Sequence, residues 1–290
     1  MAGPVGVTVA TGELGGRVAR RLADRGVTQR LVVRDPSRAP ELPGAEVRAA
    51  PGGYADGDGL RSALEGVATL LLVPAGEALD RADQHRRAVD AAAAVGVERI
   101  VYLSFVGTTP DGIFTFGRDH WATEEHVRAV GVPFTFLPMS LYLDYVPFFV
   151  GADGVIRGPA GEGHMAPVAR DDLADVAVAV LLEDGHEGRT EDVTGRDRFT
   201  LGEAASEMAR LSGLPISFHD ETLEEARASR APSGRPDWEI EGWVTSYAAI
   251  AAGEVDVTSD AVRRLAGHEP ITLAEYLRDH PGALDHVTAR

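Results

Sequence analysis

Short apolar runs alternate with segments of helical periodicity along the first half of the chain. The run at residues 5–10 is apolar and β-branched, and behind it Leu14, Val18 and Leu22 recur at the spacing of one helical stripe. Further strand-like runs lie at 30–34, 45–50, 69–73, 99–104 and 134–137, and helical patterns lie at 60–64, 80–95 and 119–130. This alternation predicts a doubly wound, parallel α/β sheet of the Rossmann type.

The alternation loosens after Pro138. An aromatic stretch occupies 142–149, and the glycine-rich segment at 151–163 predicts a hairpin. Helical patterns follow at 171–182, 200–212, 223–228, 243–252, 259–266 and 272–280, with a loop at 232–237. We therefore expect a Rossmann domain at 1–140 and a smaller C-terminal α/β lobe at 141–290, with a strand near 189–195 that returns to the main sheet.

Composition narrows the class of protein. The 290 residues are 44% hydrophobic, enough to bury a large core without disulfides or metals. The absence of cysteine excludes thiolate catalysis and cysteine-ligated metal sites, and it favours a cytoplasmic location. A net charge of −17 disfavours nucleic acid and anionic lipid as partners. No apolar run is long enough to span a membrane, so a membrane protein is not expected.

The first strand-to-helix turn carries the leading candidate site, at Thr11, Gly12, Glu13, Leu14 and Gly15. A helix N-terminus offers unpaired N–H groups and a partial positive charge, which suit a pyrophosphate. Gly12 would let the backbone approach the phosphates, and Gly15 would let helix and strand pack closely. Because the motif follows a predicted strand and opens a predicted helix, we expect it to bind a dinucleotide.

The end of the second strand bears on which dinucleotide is bound. Enzymes that use NAD usually place an acidic residue there for the ribose hydroxyls, whereas this chain has Arg34, followed by Arg38. A guanidinium suits a 2′-phosphate, so the predicted cofactor is NADPH. The alternative is that Arg34 only solvates the end of a strand.

Later strand ends supply the remaining candidates. We expect Val73 and Pro74 to flank the nicotinamide ribose, and Ser104 and Ser140 to lie at the ends of the fifth and sixth strands. His120, at the start of the next helix, is a candidate proton donor. Its alternative interpretation is a hydrogen bond to Glu124, one turn on.

The aromatic stripe Tyr142, Tyr145, Phe148 and Phe149 is more typical of core than of a binding site, although it could line an aromatic substrate pocket. The motifs of zinc proteases, serine hydrolases and P-loop NTPases are not found in the sequence. Single, scattered histidines indicate no metal site.

These residues resemble the NmrA-like branch of the atypical short-chain dehydrogenase/reductases, which includes the type 2 NAD(P)H:quinone oxidoreductases. The resemblance covers nearly the whole chain. It rests on the first turn, Val32 to Arg38, Gln84-His85, Tyr102 to Ser104, 119–124, 156–163, 170–176 and 188–195. It implies cofactor contacts at Thr11 to Leu14, Arg34, the turn from Tyr54 to Asp56, and residues 73–75. This chain lacks the Tyr-x-x-x-Lys pair of ordinary short-chain dehydrogenases, as the branch does, so the catalytic candidates are His120, Ser104 and Tyr142.

The chain departs from that pattern around the predicted site. Val9 stands where the branch has the first glycine of its turn, and Glu13 adds a negative charge to the first helical turn. Pro74 and the segment 137–140 also differ from the usual residues. Val9 and Glu13 together predict weakened cofactor binding, and the three altered strand ends predict a remodelled pocket.

Three functions follow as hypotheses. The first is an NADPH-dependent reductase of a quinone, enone or aromatic polyketide-like carbonyl, a small-molecule substrate of secondary metabolism. The second is a relative with weakened or lost cofactor that catalyses a non-redox cyclisation, coupling or isomerisation. The third is a redox sensor that binds a dinucleotide and reports to a protein partner. The sequence predicts no oligomeric state.

Overall fold

The protein contains a seven-stranded sheet, in the order β3-β2-β1-β4-β5-β6-β9. In this computed structural model, which describes residues 3–288, the pairs β3–β2, β2–β1, β1–β4, β4–β5 and β6–β9 are parallel. The predicted doubly wound, Rossmann-type sheet is confirmed. Its strands are β1 Val5–Thr8, β2 Gln29–Val33, β3 Ala45–Ala49, β4 Thr69–Leu72, β5 Arg99–Phe105, β6 Phe134–Met139 and β9 Arg189–Thr190.

The described helices follow the strands in the order that the alternation predicted. Leu14, Val18 and Leu22 of the first helix are at most 5% exposed, as expected for one apolar stripe. The helices are α1 Glu13–Asp24, α2 Gly57–Leu64, α3 Arg81–Ala94, α4 Thr115–Val130, α5 Arg170–Leu182, α6 Leu201–Ser212, α7 Leu223–Arg230, α8 Asp237–Ala251 and α9 Leu273–Asp279. None of the helices within residues 3–288 has the length and apolarity needed to cross a bilayer.

The core on one face of the sheet explains why the central strands are almost wholly apolar. Leu70 and Leu72 of β4 and Ile100 of β5 pack there with residues of α2 and α3. The intervening residues, such as Leu71, are equally buried because helices cover both faces of a parallel sheet. Apolar residues therefore stand at consecutive positions of these strands, without the alternation of polar residues that a strand with one solvent-exposed face shows.

The strand order reverses between β1 and β4. The chain passes from β1 outward through β2 to β3, and then returns to pair β4 with the other side of β1. In open α/β sheets a crevice forms at such a reversal, beyond the carboxyl ends of the strands. The residues that follow β1 and β4 therefore lie at the place where a ligand is expected.

The chain divides into two compact units that are not the contiguous ranges 1–140 and 141–290. The first unit comprises the residues up to Phe105, Asp119–Pro138 and Asp171–Glu191. It includes β9 because Phe136 of β6 pairs with Thr190. It includes α5 because Asp171 and Asp175 each lie 2.8 Å from the guanidinium of Arg21 on α1. Both associations join segments that are far apart in sequence.

The second unit comprises Val106–Arg118, Met139–Arg170 and the residues from Asp192 onward. Its strands are β7 Val155–Gly158, β8 His164–Met165, β10 Phe199–Thr200 and β11 Ser217–Asp220. The hairpin predicted at 151–163 is present only at its start, where Val150 and Ile156 form an antiparallel bridge around a turn. Beyond it, β7 pairs in parallel with β11, and β8 pairs antiparallel with β10. The glycines of that segment make turns, but the partners of both strands come from later in the chain.

Helix α8 begins six residues before the predicted Trp243, at Asp237. Pro236 takes the N-cap position in extended conformation, and acidic residues occupy the first turn, as helix N-termini favour. The loop predicted at 232–237 therefore ends where these start signals are. Helices α6, α7 and α9 each begin with a capping box, at Thr200, Thr222 and Thr272.

Candidate active site

The turn after β1 is closed by the backbone of Val9. The N–H of Gly12 donates to the carbonyl of Val9 over 2.8 Å, and Val9 has a left-handed conformation with a φ of 52°. A β-branched residue in this region is strained by about 1–3 kcal/mol, whereas glycine adopts it freely. The structure thus places valine at the position where the turn most favours glycine.

Two glycines complete the turn, where a side chain would be crowded at Gly12 and would clash at Gly15. A Cβ on Gly15 would lie 2.4 Å from the carbonyl oxygen of Val9, and a Cβ on Gly12 would lie 3.1 Å from Cγ1 of Val9. The close approach at Gly15 involves backbone atoms, which cannot rotate away. Gly15 is therefore required for α1 to pack against the end of β1.

The N-terminus of α1 has no side-chain cap. Gly12 is its N-cap residue, so the first N–H groups of the helix are not satisfied by a capping side chain. Such a terminus attracts anions. The carboxylate of Glu13 lies 2.6 Å from the guanidinium of Arg17, which offsets its charge. The predicted repulsion between Glu13 and a pyrophosphate is reduced by this ion pair.

A cavity of about 350 Å³ lies beside this turn, within the first unit. Its volume lies in the range of small-molecule sites. Residues that follow β1, β2, β3 and β4 contribute to its walls, so the cavity occupies the expected crevice of the sheet. Among the residues that line it are Val9, Thr11, Arg34, Gly53, Ala75 and Glu77.

Arg34 follows β2 and lines this cavity. Its aliphatic stem lies against Gly53, where an added Cβ would be 3.3 Å from Cδ of Arg34, and Gly53 has a φ of 56°. Asp35 is the acidic residue at this strand end. Its carboxylate accepts hydrogen bonds from the N–H and the hydroxyl of Ser37, and these bonds lower the pKa of Asp35. A guanidinium, and not the Asp35 carboxylate, therefore lines the cavity at the end of β2.

The backbone that follows β4 is held by four side chains. The N–H of Val73 donates to the hydroxyl of Thr8 over 2.9 Å, and the carbonyl of Val73 accepts from the hydroxyl of Tyr54 over 2.7 Å. The N–H of Ala75 donates to Nε2 of His85 over 2.9 Å, and its carbonyl accepts from Nε of Arg81 over 3.0 Å. The four polar groups of these two residues thus have partners within the protein.

This arrangement bears on the predicted contacts at Val73 and Pro74. Val73 is 8% exposed, and both of its backbone polar groups are engaged, so it supports the cavity wall. Pro74 is half-buried and has no N–H to offer a ligand. The cavity is lined instead by the next residues, from Ala75 to Ala78.

His120 lies in a buried network and is only 4% exposed. Its Nε2 is 3.2 Å from Nη2 of Arg81, and its Nδ1 is 2.9 Å from the hydroxyl of Tyr102. Because a guanidinium can only donate, Nε2 must accept, and the proton of the neutral ring is on Nδ1. Burial and then the charge of Arg81 hold the pKa of His120 well below its usual value. This environment favours a neutral ring and weakens the prediction of His120 as the proton donor.

Glu124 is not the partner of His120 that the alternative interpretation expected. Its carboxylate accepts a hydrogen bond from the hydroxyl of Ser104 over 2.5 Å and pairs with Arg128 over 3.0 Å. Burial raises the pKa of Glu124 against the lowering effect of Ser104. Ser104 is itself fully buried, and its hydroxyl proton is committed to Glu124.

The carboxylate of Asp56 caps α2 by accepting from the N–H of Gly59 over 3.0 Å. The neighbouring Tyr54 lines the cavity, whereas Asp56 does not appear in its walls. The turn from Tyr54 to Asp56 therefore contributes Tyr54 to the cavity and uses Asp56 to start a helix.

Ser140 and Tyr142 belong to the second unit. The N–H of Ser140 donates to the carbonyl of Val193 over 3.1 Å, and its buried hydroxyl has no hydrogen-bond partner among residues 3–288. The ring of Tyr142 lies 4.4 Å from the guanidinium carbon of Arg170, which also covers Tyr145 at 4.2 Å. These are cation–π contacts.

The interpretation of the aromatic stripe as core is wrong for two of its members. Tyr145 is 49% exposed and Phe148 is 63% exposed. The segment forms a 3₁₀ helix at Leu143–Phe149, so every third residue shares a face, and Leu143 and Val146 take the buried positions. The ring of Phe148 stacks on His286.

Of the predicted residues, Thr11 and Arg34 are therefore brought together in one cavity wall, with Gly12 and Gly15 shaping the turn beside it. Ser104 and His120 lie in buried networks of the same unit. Sequence reasoning did not single out Arg81. Its signal is the spacing of four residues between Arg81 and His85, which puts both on one face of the helix that follows β4.

Comparisons with known proteins agree with this geometry. A protein family described as NAD(P)H-binding matches residues 10–184. Quinone oxidoreductase 2 of Escherichia coli is 32% identical over 278 residues, covering 93% of this chain and 96% of that protein. A (4-alkanoyl-5-oxo-2,5-dihydrofuran-3-yl)methyl phosphate reductase of Streptomyces griseus is 37% identical over 228 residues, 77% of this chain and 79% of that protein.

Two solved structures of reductases are also similar to this chain. The NADPH-dependent quinone oxidoreductase of Escherichia coli in complex with NADPH superposes with a TM-score of 0.87 at 31% identity, over 95% of this chain and 99% of that chain. The triphenylmethane reductase of Citrobacter has a TM-score of 0.83 at 31% identity, over 97% of this chain and 99% of that chain.

Proposed function

Since this chain belongs to the NAD(P)H-binding family, within the NmrA-like branch of the atypical short-chain dehydrogenase/reductases, we propose that it reduces a quinone, enone or aromatic polyketide-like carbonyl with NADPH. The predicted family and the predicted NAD(P)H-dependent oxidoreductase activity are confirmed. The choice of NADPH and the class of substrate are our proposals.

One observation carries the choice of NADPH. Arg34 lines the cavity beside the uncapped N-terminus of α1, while the carboxylate of Asp35 is bound to Ser37. A dinucleotide with a 2′-phosphate needs positive charge at this strand end, whereas NADH is favoured by a carboxylate that accepts from the ribose hydroxyls. Arg34 supplies the former.

The residues present fit a dinucleotide. The start of α1, which has no side-chain cap, follows directly on Val9 and Thr11 of the cavity wall and suits a pyrophosphate. Arg34 would hold the 2′-phosphate, and Thr11 lines the same wall. When bound, the nicotinamide supplies a hydride. The protein's part is to bind and orient the two reactants.

The substrate class is supported by the relatives. The two curated relatives described above are named for a quinone and for an alkanoyl-oxo-dihydrofuran, both of which hold a carbonyl in a conjugated ring system. A hydride acceptor of this kind stabilises the added charge by delocalisation. We therefore favour conjugated carbonyl compounds over isolated ketones as substrates.

The test is a calorimetric titration of NADPH and NADH into wild-type protein and the variants Arg34→Ala and Arg38→Ala. Arg38 is exposed in the same turn but does not line the cavity, so Arg38→Ala is the matched control. Arg34→Ala removes a charge-assisted contact, so it should weaken NADPH binding about tenfold or more. NADH binding should change by less than about twofold.

Equal losses for both cofactors in Arg34→Ala would contradict the assignment of the 2′-phosphate. Oxidation of NADPH in the presence of a quinone, followed by absorbance, tests the reaction itself.

Val9 is the observation that favours the second hypothesis, a protein with weakened cofactor binding and non-redox chemistry, because its strained turn lines the same cavity. Tight NADPH binding by wild-type protein would rule that hypothesis out. Substrate-dependent oxidation would likewise exclude a purely sensory role.

A further inference from the structure

Two buried side chains of α3 bond to both backbone polar groups of Ala75. Ala75 is the first residue after β4 that lines the cavity. Arg81 donates from Nε to the carbonyl, and His85 accepts from the N–H through Nε2. Arg81 is 6% exposed and His85 is fully buried. Such bonds orient a peptide group strongly, because water cannot compete for its donor and acceptor.

The far sides of both side chains are fixed in turn. Nδ1 of His85 is 2.8 Å from the hydroxyl of Thr123, which itself donates to the carbonyl of Asp119 over 2.7 Å. Because Nε2 accepts, Nδ1 carries the proton and donates to Thr123. Burial lowers the pKa of His85 to about 3, so the ring is neutral at neutral pH, as an acceptor must be.

Arg81 reaches the same helix by another route. Its Nη2 donates to His120, and its Nη1 lies 3.6 Å from a carboxylate oxygen of Asp119. The fork of the guanidinium thus joins the carbonyl of Ala75 to α4, while His85 joins the N–H of Ala75 to α4. An ammonium group in place of the guanidinium could not make this set of directed bonds.

Given the proposed function, on which this inference rests, we propose that Arg81 and His85 are positioning residues that hold the wall Ala75 to Ala78 in the shape that admits the cofactor. Neither side chain lines the cavity. Their effect on binding therefore passes through the backbone of Ala75. The wall that they fix carries Glu77, which lies in the same cavity as Arg34.

The experiment measures hydrogen–deuterium exchange of peptides that cover residues 73–79 in unliganded protein, together with calorimetric titration of NADPH. His85→Leu removes the acceptor at similar volume, and His85→Gln restores an acceptor in the same place. Arg81→Lys keeps the charge but loses the fork. The control is Arg86→Met on the same helix, where Arg86 pairs with Asp83 at the surface.

We expect His85→Leu and Arg81→Lys to speed exchange at 73–79 by about tenfold or more, with exchange in β1 and β5 unchanged. NADPH binding should weaken by about tenfold, and His85→Gln should recover most of both losses. Arg86→Met should behave as wild type. If His85→Leu does not fold, Arg81→Lys decides the matter by the same measurements.

Unchanged exchange at 73–79 in both variants would overturn the proposal, as would equal acceleration throughout the chain. Faster local exchange with unaltered NADPH affinity would overturn the link to binding. The exchange arm needs no cofactor, so a wild-type protein that fails to bind NADPH would refute the proposed function while leaving the exchange result to decide whether Arg81 and His85 position the wall.

Discussion

The ends of β1 and β4 are neighbours in the sheet, yet they differ in whether side chains of the protein bond to their backbone polar groups. After β1, the turn at Val9 leads into a helix whose N-terminus lacks a side-chain cap. After β4, the polar groups of Val73 and Ala75 bond to Thr8, Tyr54 and two residues of α3. The first end leads into a helix N-terminus that suits an anionic ligand, whereas the second end uses its backbone groups to fix a shape. A binding cavity needs both.

The largest effect on this pair of strand ends is expected from a substitution of Gly15. In Gly15→Ala the new Cβ would meet the backbone of Val9 at 2.4 Å, so helix and strand must separate. We expect a loss of about 3 kcal/mol in the free energy of unfolding, measured by urea denaturation, together with loss of NADPH binding.

Gly57→Ala is the control, since its Cβ would lie 3.8 Å from the nearest side-chain atom, Nη1 of Arg61. It should leave the free energy of unfolding within about 1 kcal/mol of wild type. A stable, NADPH-binding Gly15→Ala protein would show that the turn is not as tight as described.

The β4 end is tested by Thr8→Val. Valine has the shape of threonine but leaves the buried N–H of Val73 without its acceptor, and the carbonyl of Leu71 without its donor. We expect the free energy of unfolding to fall by about 1–3 kcal/mol. Urea denaturation of Thr8→Ser, which keeps the hydroxyl, provides the comparison, and a larger loss in Thr8→Ser than in Thr8→Val would contradict the role of this hydroxyl.

The smallest effect on stability is expected at Val9. Val9→Gly removes about 1–3 kcal/mol of strain but gives the unfolded chain more freedom, so the net change in stability should be within about 1 kcal/mol. NADPH affinity, measured by titration, should rise because the cavity loses a branched side chain. Val9→Ala separates the two causes: it keeps the left-handed strain and removes bulk. Weaker binding by both variants would indicate that valine itself contributes to affinity.

The β1 turn can be predicted from the sequence better than the β4 end, and the reason is physical. The β1 turn is local: strand, glycines and helix follow one another, so Thr11 to Gly15 could be identified from spacing alone. The β4 end depends on Thr8 and Tyr54, which are 65 and 19 residues away from Val73. Nothing in the run at 69–73 specifies such partners. The same holds for β7, whose partner β11 lies far along the chain.

Residue chemistry was likewise only partly predictable. Arg34 was identified because its position after β2 is a local feature. His120 was assigned as an acid from its usual pKa, but burial beside Arg81, which comes from another helix, lowers that pKa. The pKa of a buried group is determined by neighbours that only the tertiary structure specifies.

The conformation of Val9 has a consequence for how this protein can change over generations. Valine and glycine codons differ at their second base alone, so one base substitution exchanges the strained turn for a relaxed one. The backbone strain at this turn is therefore adjustable in a single mutational step.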